Sequence, residues 1–203
     1  PELGTIAIKG ALAKINLDPN LVSEVLMGHV VQSGAGQAPA RQAALHAGIP
    51  NTVPCTTVNK VCASGMKAVM QAAQAIALGD ADIVVAGGME SMSNAPYLLP
   101  NMRGGARLGH VGAVDHMFLD GLEDAYEKGR LMGTFAEDCA ETFQFTRAVQ
   151  DDYALASLSR ALAAQASGAF EGEITPVAVR SRSGTTTISA DEQPASARPE
   201  KIP

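Results

Sequence analysis

TTVNKVCASGMKAVMQAAQAIALGD, Thr56 to Asp80, is the stretch on which the reading of the chain turns. Thr56 to Val58 is β-branched and reads as a strand. Asn59, Lys60, Val61 and Cys62 follow, and Ala63-Ser64-Gly65 opens a long apolar helix. A thiol at a strand-to-helix turn lies beside backbone N–H groups without intrahelical partners and near the positive end of the helix dipole. Both favour the thiolate, which is the nucleophilic form. Ala63, Ser64 and Gly65 are small and leave the thiol open to approach. The competing reading is a buried structural cysteine, since free cysteine is among the most buried residue types.

From Met66 to Leu78 the apolar residues leave no polar face, so the pattern predicts a helix buried on every side. Gly79 suits its C-cap. Asp82-Ile83-Val84-Val85-Ala86-Gly87-Gly88 does not alternate, and reads as a strand covered on both faces of a parallel sheet. A buried helix between buried strands predicts a layered α/β protein.

Working outward, Leu3, Ile6, Ala7, Ala11 and Ile15 recur at helical spacing and predict an amphipathic helix on that stripe. Asp18-Pro19-Asn20 is a turn. Val25 to Val31 and Thr52 to Val58 read as strands, and Pro39 to Ala47 as a helix closed by Gly48. After Ser91 the character changes: Asn94 to Gly112 is rich in Pro, Gly, Arg and Asn without a sustained period, which sets a boundary near Ser93. Gly133 to Phe145 and Arg147 to Ala166 read as helices, the second capped by Thr146. Val177 to Arg180 and Thr185 to Ser189 suit a strand pair around Ser183-Gly184.

The net charge of −6 over 203 residues argues against nucleic acid as a partner. Three cysteines, Cys55, Cys62 and Cys139, lack paired spacing, which fits a reducing compartment and a cytoplasmic location. A targeting peptide would precede Pro1, so an organelle address stays open. No apolar run is expected to reach membrane-spanning length.

NKVCASGMKAV followed by GDADIVVAGGMESMSNAPYLLP closely resembles the thiolases, the acetyl-CoA acetyltransferase and 3-ketoacyl-CoA thiolase group. GAGQAPARQAALHAGIP, Gly34 to Pro50, is similar to the family's GxGQNPARQAA segment, with Ala38 where Asn is usual. RLMGTFAE, Arg130 to Glu137, resembles its HMGxTAE segment. The resemblance implies a thiolase-like αβαβα layered fold. Residues 1–92 would be the N-terminal core half without its first strand, and residues 93–203 an inserted loop domain. The family's second half carries a histidine in a GHP context and a cysteine in a CxGGG context, and neither context occurs in this chain.

For chemistry, the resemblance implies Cys62 as the nucleophile toward an acyl-CoA thioester, with its backbone N–H as an oxyanion donor. It implies Leu122 and Met132 along the CoA arm and acyl pocket. Arg198 is the candidate for the CoA phosphates, because Ala195 stands at the matching arginine position. Leu131 occupies the place of a CoA-contacting histidine of short-chain members, which leaves longer 3-ketoacyl chains open. Coenzyme A and acyl-CoA are expected as substrates, with no covalently bound cofactor and no metal. A homodimer, paired into a tetramer through a small hairpin at Asn101–His110, is the implied assembly. Two alternatives stand beside this reading: a ketoacyl-synthase-type condensing enzyme, and a non-catalytic thiolase-like CoA-binding fragment.

Overall fold

Three parallel strands organise the first part of the chain in a computed structural model that describes residues 1–202. Helix α1 (Glu2–Lys14) leads through a turn, capped by the Asp18 carboxylate accepting the Asn20 N–H at 3.0 Å, into β1 (Glu24–Gly28). Helix α2 (Pro39–His46), β2 (Cys55–Val58), α3 (Ser64–Leu78) and β3 (Val84–Gly88) follow. The sheet order is β2-β1-β3, with Leu26 opposite Thr56 on one side and Ala86 on the other. The chain therefore steps from β1 to β2, then back past β1 to β3. Crossovers between parallel strands are right-handed, so opposite steps put their helices on opposite faces. Val25 and Met27 accordingly pack under α1 and α2 with Ile8, Leu12, Ala40, Ala43 and Ala44. Leu26 points the other way and packs under Ala68 and Ala72 of α3.

The parallel sheet and α/β class agree with the sequence reading, but several details differ. Helix α1 forms where expected, yet it docks through Gly4, Thr5, Ile8 and Leu12, while Leu3 and Ile15 of the expected stripe are exposed. Both stripes have helical spacing. Close approach to α2 selects the one with small residues: a Cβ on Gly4 would lie 3.1 Å from the Ala43 Cβ, and Thr5 Oγ1 donates to the Ala43 carbonyl at 3.3 Å. Burying Ile8 and Leu12 contributes about 1.5–3 kcal/mol each. β1 stops at Gly28 instead of Val31, because the Val30 and Val31 N–H groups go to the Glu90 carboxylate. β2 begins only at Cys55. Edge strand β3 packs on both faces but stays half-buried.

The expected burial of α3 on every side is not met. Ser64, Ala68 and Ala72 are buried against the sheet, while Met66, Val69, Met70, Ile76 and Leu78 are exposed. A single sheet face covers a single stripe, and among the described residues nothing covers the rest. The expectation about membrane length also needs correcting. Val61–Leu78 has a mean hydropathy of 1.2 over 18 residues, long and apolar enough to cross a membrane by composition. The helix itself has 15 residues, about 22 Å at 1.5 Å per residue, against a hydrocarbon core of about 30 Å. Its small-residue stripe is committed to the sheet.

Beyond β3, β4 (Tyr97–Leu98) pairs antiparallel with β5 (Val114–Asp115). Asn101–His110 is the exposed loop between them, with a short 3-10 turn at Met102–Gly104; the hairpin strands lie outside that stretch. One π-helical turn, Phe118–Leu122, follows. The chain divides into two compact units, 1–131 and 132–203, so the compositional boundary near Ser93 falls inside the first.

The second unit contains α4 (Met132–Thr142), α5 (Arg147–Ala166), the antiparallel hairpin β6 (Val177–Ser181) and β7 (Gly184–Ile188), and α6 (Glu192–Ser196). Thr146 caps α5 as expected, accepting the Val149 N–H at 3.3 Å. The hairpin register pairs Ser181 with Gly184, so Arg182 and Ser183 form its tip. Gln165 Nε2 donates to the Asp191 carbonyl at 3.0 Å and ties α5 to the start of α6.

Candidate active site

β1, β2 and β3 end at Gly28, Val58 and Gly88, and the segments leaving these carboxyl ends carry His29, Cys62 and Glu90. Open parallel sheets bind their ligands at this edge. Cys62 is exposed, in the turn between β2 and α3. That turn is tightly held. The Asn59 side chain accepts the Val61 N–H at 3.0 Å, and Ser64 Oγ accepts the Lys60 N–H at 2.8 Å while donating to the Val61 carbonyl at 2.5 Å. Ala63 and Ser64 N–H groups return to Lys60 and Val61 carbonyls. The Cys62 N–H is outside this set, and no side chain caps α3. Val61 itself has φ +49°, a left-handed conformation costing a β-branched residue on the order of 1–2 kcal/mol. Strain of this kind persists only where the surroundings enforce it, and it clusters at functional sites.

The turn is seated on the sheet through glycines. A Cβ on Gly28 would lie 2.5 Å from the Gly65 amide nitrogen and 2.6 Å from the Ser64 carbonyl carbon. One on Gly88 would lie 3.3 Å from the Gly28 oxygen and 3.5 Å from the Gly65 Cα. Glycine at these positions brings the first turn of α3 onto the strand ends and sets the depth of Cys62. The need for Gly28 has no signature in sequence, because only the crossover brings Gly65 to it.

Two buried histidines lie on or against the segment leaving β1. His29 Nε2 is 3.3 Å from Glu90 Oε1, and its Nδ1 is buried with no hydrogen-bond partner. Burial pushes the His29 pKa below its ordinary value, and outweighs the opposing pull of the Glu90 carboxylate. His116 Nε2 accepts the Ser33 N–H at 3.1 Å, and Nδ1 faces Asp120 Oδ2 at 2.6 Å. Among the described residues no group of three or more His, Cys, Asp and Glu could hold a metal ion.

Residues 1–201 match the family model of the thiolase N-terminal domain. The chain belongs to the thiolase family. It is 58% identical over 193 residues to acetyl-CoA acetyltransferase 2 of Arabidopsis thaliana, covering 94% of this chain and 48% of that protein. It is 53% identical over 203 residues to the acetyl-CoA acetyltransferase of Schizosaccharomyces pombe, covering 99% and 51%. The acetyl-CoA acetyltransferase of Cupriavidus necator is 52% identical over 184 residues, covering 91% and 47%. This thiolase chain thus spans about half the length of the curated relatives it matches. The match favours the thiolase branch over the ketoacyl-synthase alternative.

Within the thiolase chain, Cys62 lies at the carboxyl edge of the sheet, and Leu122 is half-buried at the end of the π-helical turn. That turn rests on the segment leaving β1, where a Cβ on Gly121 would lie 3.9 Å from Val31 Cγ2. Met132 begins α4 and is 45% exposed, and Arg198 is exposed before the turn Pro199–Lys201; both belong to the second unit. Cys55 is half-buried, and burial raises its thiol pKa against the opposing effect of Arg41, so it is the less reactive neighbour. Sequence reasoning passed over Asn59 and Ser64 as holders of the cysteine turn, and over His29 and His116. The Asx-turn geometry at Asn59 was the one local signal available.

Proposed function

We propose that this protein is an acyl-CoA C-acyltransferase of the thiolase type, with Cys62 as its nucleophile. The observation that carries the reading is an exposed cysteine in a strained, hydrogen-bonded turn at the carboxyl edge of the sheet, in a chain whose relatives are named acetyl-CoA acetyltransferases. In thiolysis the Cys62 thiolate adds to the 3-keto carbonyl carbon. The bond between carbons 2 and 3 then breaks, acetyl-CoA leaves as its enolate and takes a proton, and the acyl group stays on sulfur. Attack by a CoA thiolate on that acyl-enzyme releases the shortened acyl-CoA and restores the Cys62 thiolate. The condensation is the same sequence reversed. The Cys62 N–H is assigned to the tetrahedral oxyanion. Leu122 and Met132 are assigned to the pantetheine arm and acyl chain, and Arg198 to the CoA phosphates. The chain carries the nucleophile of this reaction, and relatives named acetyl-CoA acetyltransferases favour acyl transfer over the CoA-binding-only alternative.

The assay is thiolysis of acetoacetyl-CoA and of a longer 3-ketoacyl-CoA by the intact protein. Cys62→Ser should lower kcat/KM by about a thousandfold or more, since a serine hydroxyl is a far weaker nucleophile. Iodoacetamide should label Cys62 before Cys55 or Cys139, and acetyl-CoA should protect it. Cys139 labelled first, with no protection by acetyl-CoA, would overturn the assignment. For assembly we propose a tetramer held through the Asn101–His110 loop, which exposes Arg103, Arg107 and His110. Deleting residues 103–109 should leave an active dimer by sedimentation; an unchanged tetramer refutes this.

A further inference from the structure

The segment leaving β1, residues 29–36, is held by side chains from far along the chain. Glu90 accepts the Val30 N–H at 2.8 Å and the Val31 N–H at 3.0 Å. His116 Nε2 accepts the Ser33 N–H at 3.1 Å across 83 residues of sequence. His116 is 4% exposed, and its backbone N–H donates to the Pro96 carbonyl at 3.2 Å. A ring nitrogen that accepts carries no proton, so the proton is on Nδ1 and is donated to Asp120 Oδ2 at 2.6 Å. Both nitrogens are engaged within the fold, and the ring is not free to serve as a general base. Asp120 is on the π-helical turn that ends at Leu122, with Gly121 against Val31 between them. One imidazole thus ties segment 29–36 to the turn bearing Leu122. Single π-turns recur at functional sites, where they aim particular side chains.

We propose that His116, through Ser33 and Asp120, is a positioning residue that sets Leu122 against the acyl-CoA arm; this rests on the acyl-transfer reading above. Removing the acceptor leaves the partly buried Ser33 N–H without a partner and frees the turn from segment 29–36. A contact to the non-reacting arm serves ground state and transition state alike, so its loss raises KM and spares kcat.

The test uses the intact protein and its 3-ketoacyl-CoA thiolysis. His116→Phe keeps a ring but no nitrogen, and should raise KM about tenfold with kcat within about threefold. Hydrogen exchange should quicken in peptides covering residues 29–36 and stay unchanged in 84–88. His116→Gln offers a carbonyl to the Ser33 N–H, and should bring KM back to within about threefold of wild type. Asp120→Ala leaves the His116–Ser33 bond and cuts the link to the turn, so it should raise KM even if His116→Phe fails to fold. An unchanged KM in Asp120→Ala, a loss confined to kcat, or Gln no better than Phe each overturns the proposal. Wild-type protein without acyl-CoA turnover sinks the acyl-transfer reading and the inference together; wild-type turnover with unaltered variants sinks the inference alone.

Discussion

Gly28, at the end of β1, and Gly65, in the first turn of α3, approach so closely that a Cβ on Gly28 would fall 2.5 Å from the Gly65 amide nitrogen. The two nearest obstructing atoms are backbone, which cannot rotate away. Gly28→Ala must therefore lift α3 off the sheet or bend β1. The cost should exceed the roughly 1–3 kcal/mol typical of overpacking, seen as a clear drop in Tm and altered Cys62 alkylation. Gly112→Ala, where nothing lies within 4 Å, is the control and should melt as wild type. Equal melting of the two variants would contradict the seat.

Ser64 holds both ends of the cysteine turn, accepting from Lys60 and donating to Val61. Ser64→Ala strands a buried position without its hydroxyl, and should destabilise by about 1–3 kcal/mol in urea unfolding. With the strain at Val61 no longer enforced, Cys62 should lose its fixed depth, and kcat should fall more than KM rises. Wild-type kcat in Ser64→Ala would show that the turn needs no such clamp.

His29 has a pKa lowered first by burial, with Glu90 opposing. The folded protein therefore releases this proton more readily than the unfolded chain does. Between the ordinary value near 6.5 and the lower folded value, the unfolded state binds more protons, so stability rises with pH across that window. The contribution is fully present above about pH 6.5 and is lost as pH falls through the folded value. His29→Asn removes the titration, and its unfolding free energy should decline less steeply on acidification below about pH 6.5. Identical slopes for variant and wild type would remove His29 from the acid response.

Ala38 precedes α2 with φ +47° and provides no side-chain cap. Alanine pays for a left-handed conformation that asparagine and glycine adopt readily. Ala38→Asn or Ala38→Gly should raise stability by about 0.5–1 kcal/mol without changing the thiolysis rate. A lower Tm in both variants would show that the Ala38 methyl makes a contact worth more than the strain.

The local rules of helix and turn formation made much of the architecture legible. Pro39 before an alanine-rich run, Thr146 before α5 and the Val177–Ile188 strand pair appear where residue chemistry put them. Cys62 in its strand-to-helix turn was legible for the same reason, because strand, turn and helix propensities change within a few residues there. Periodicity failed where two solutions shared one spacing. The α1 stripe was decided by Gly4 fitting against Ala43, and the burial of α3 by how much sheet lies beneath it.

Sequence by itself determined the strand–turn–helix units, the parallel α/β class and the place of Cys62 in its strand-to-helix turn, because each follows from residues adjacent along the chain. Tertiary structure alone decided the Gly28–Gly65 seat, the His29–Glu90 pair and the His116 link from Ser33 to Asp120. These join residues 37, 61 and 83 positions apart, counted from Gly28 to Gly65, His29 to Glu90 and Ser33 to His116. No local propensity encodes such distances; the order β2-β1-β3 and the right-handed crossovers bring Gly65 and Glu90 to the strand ends.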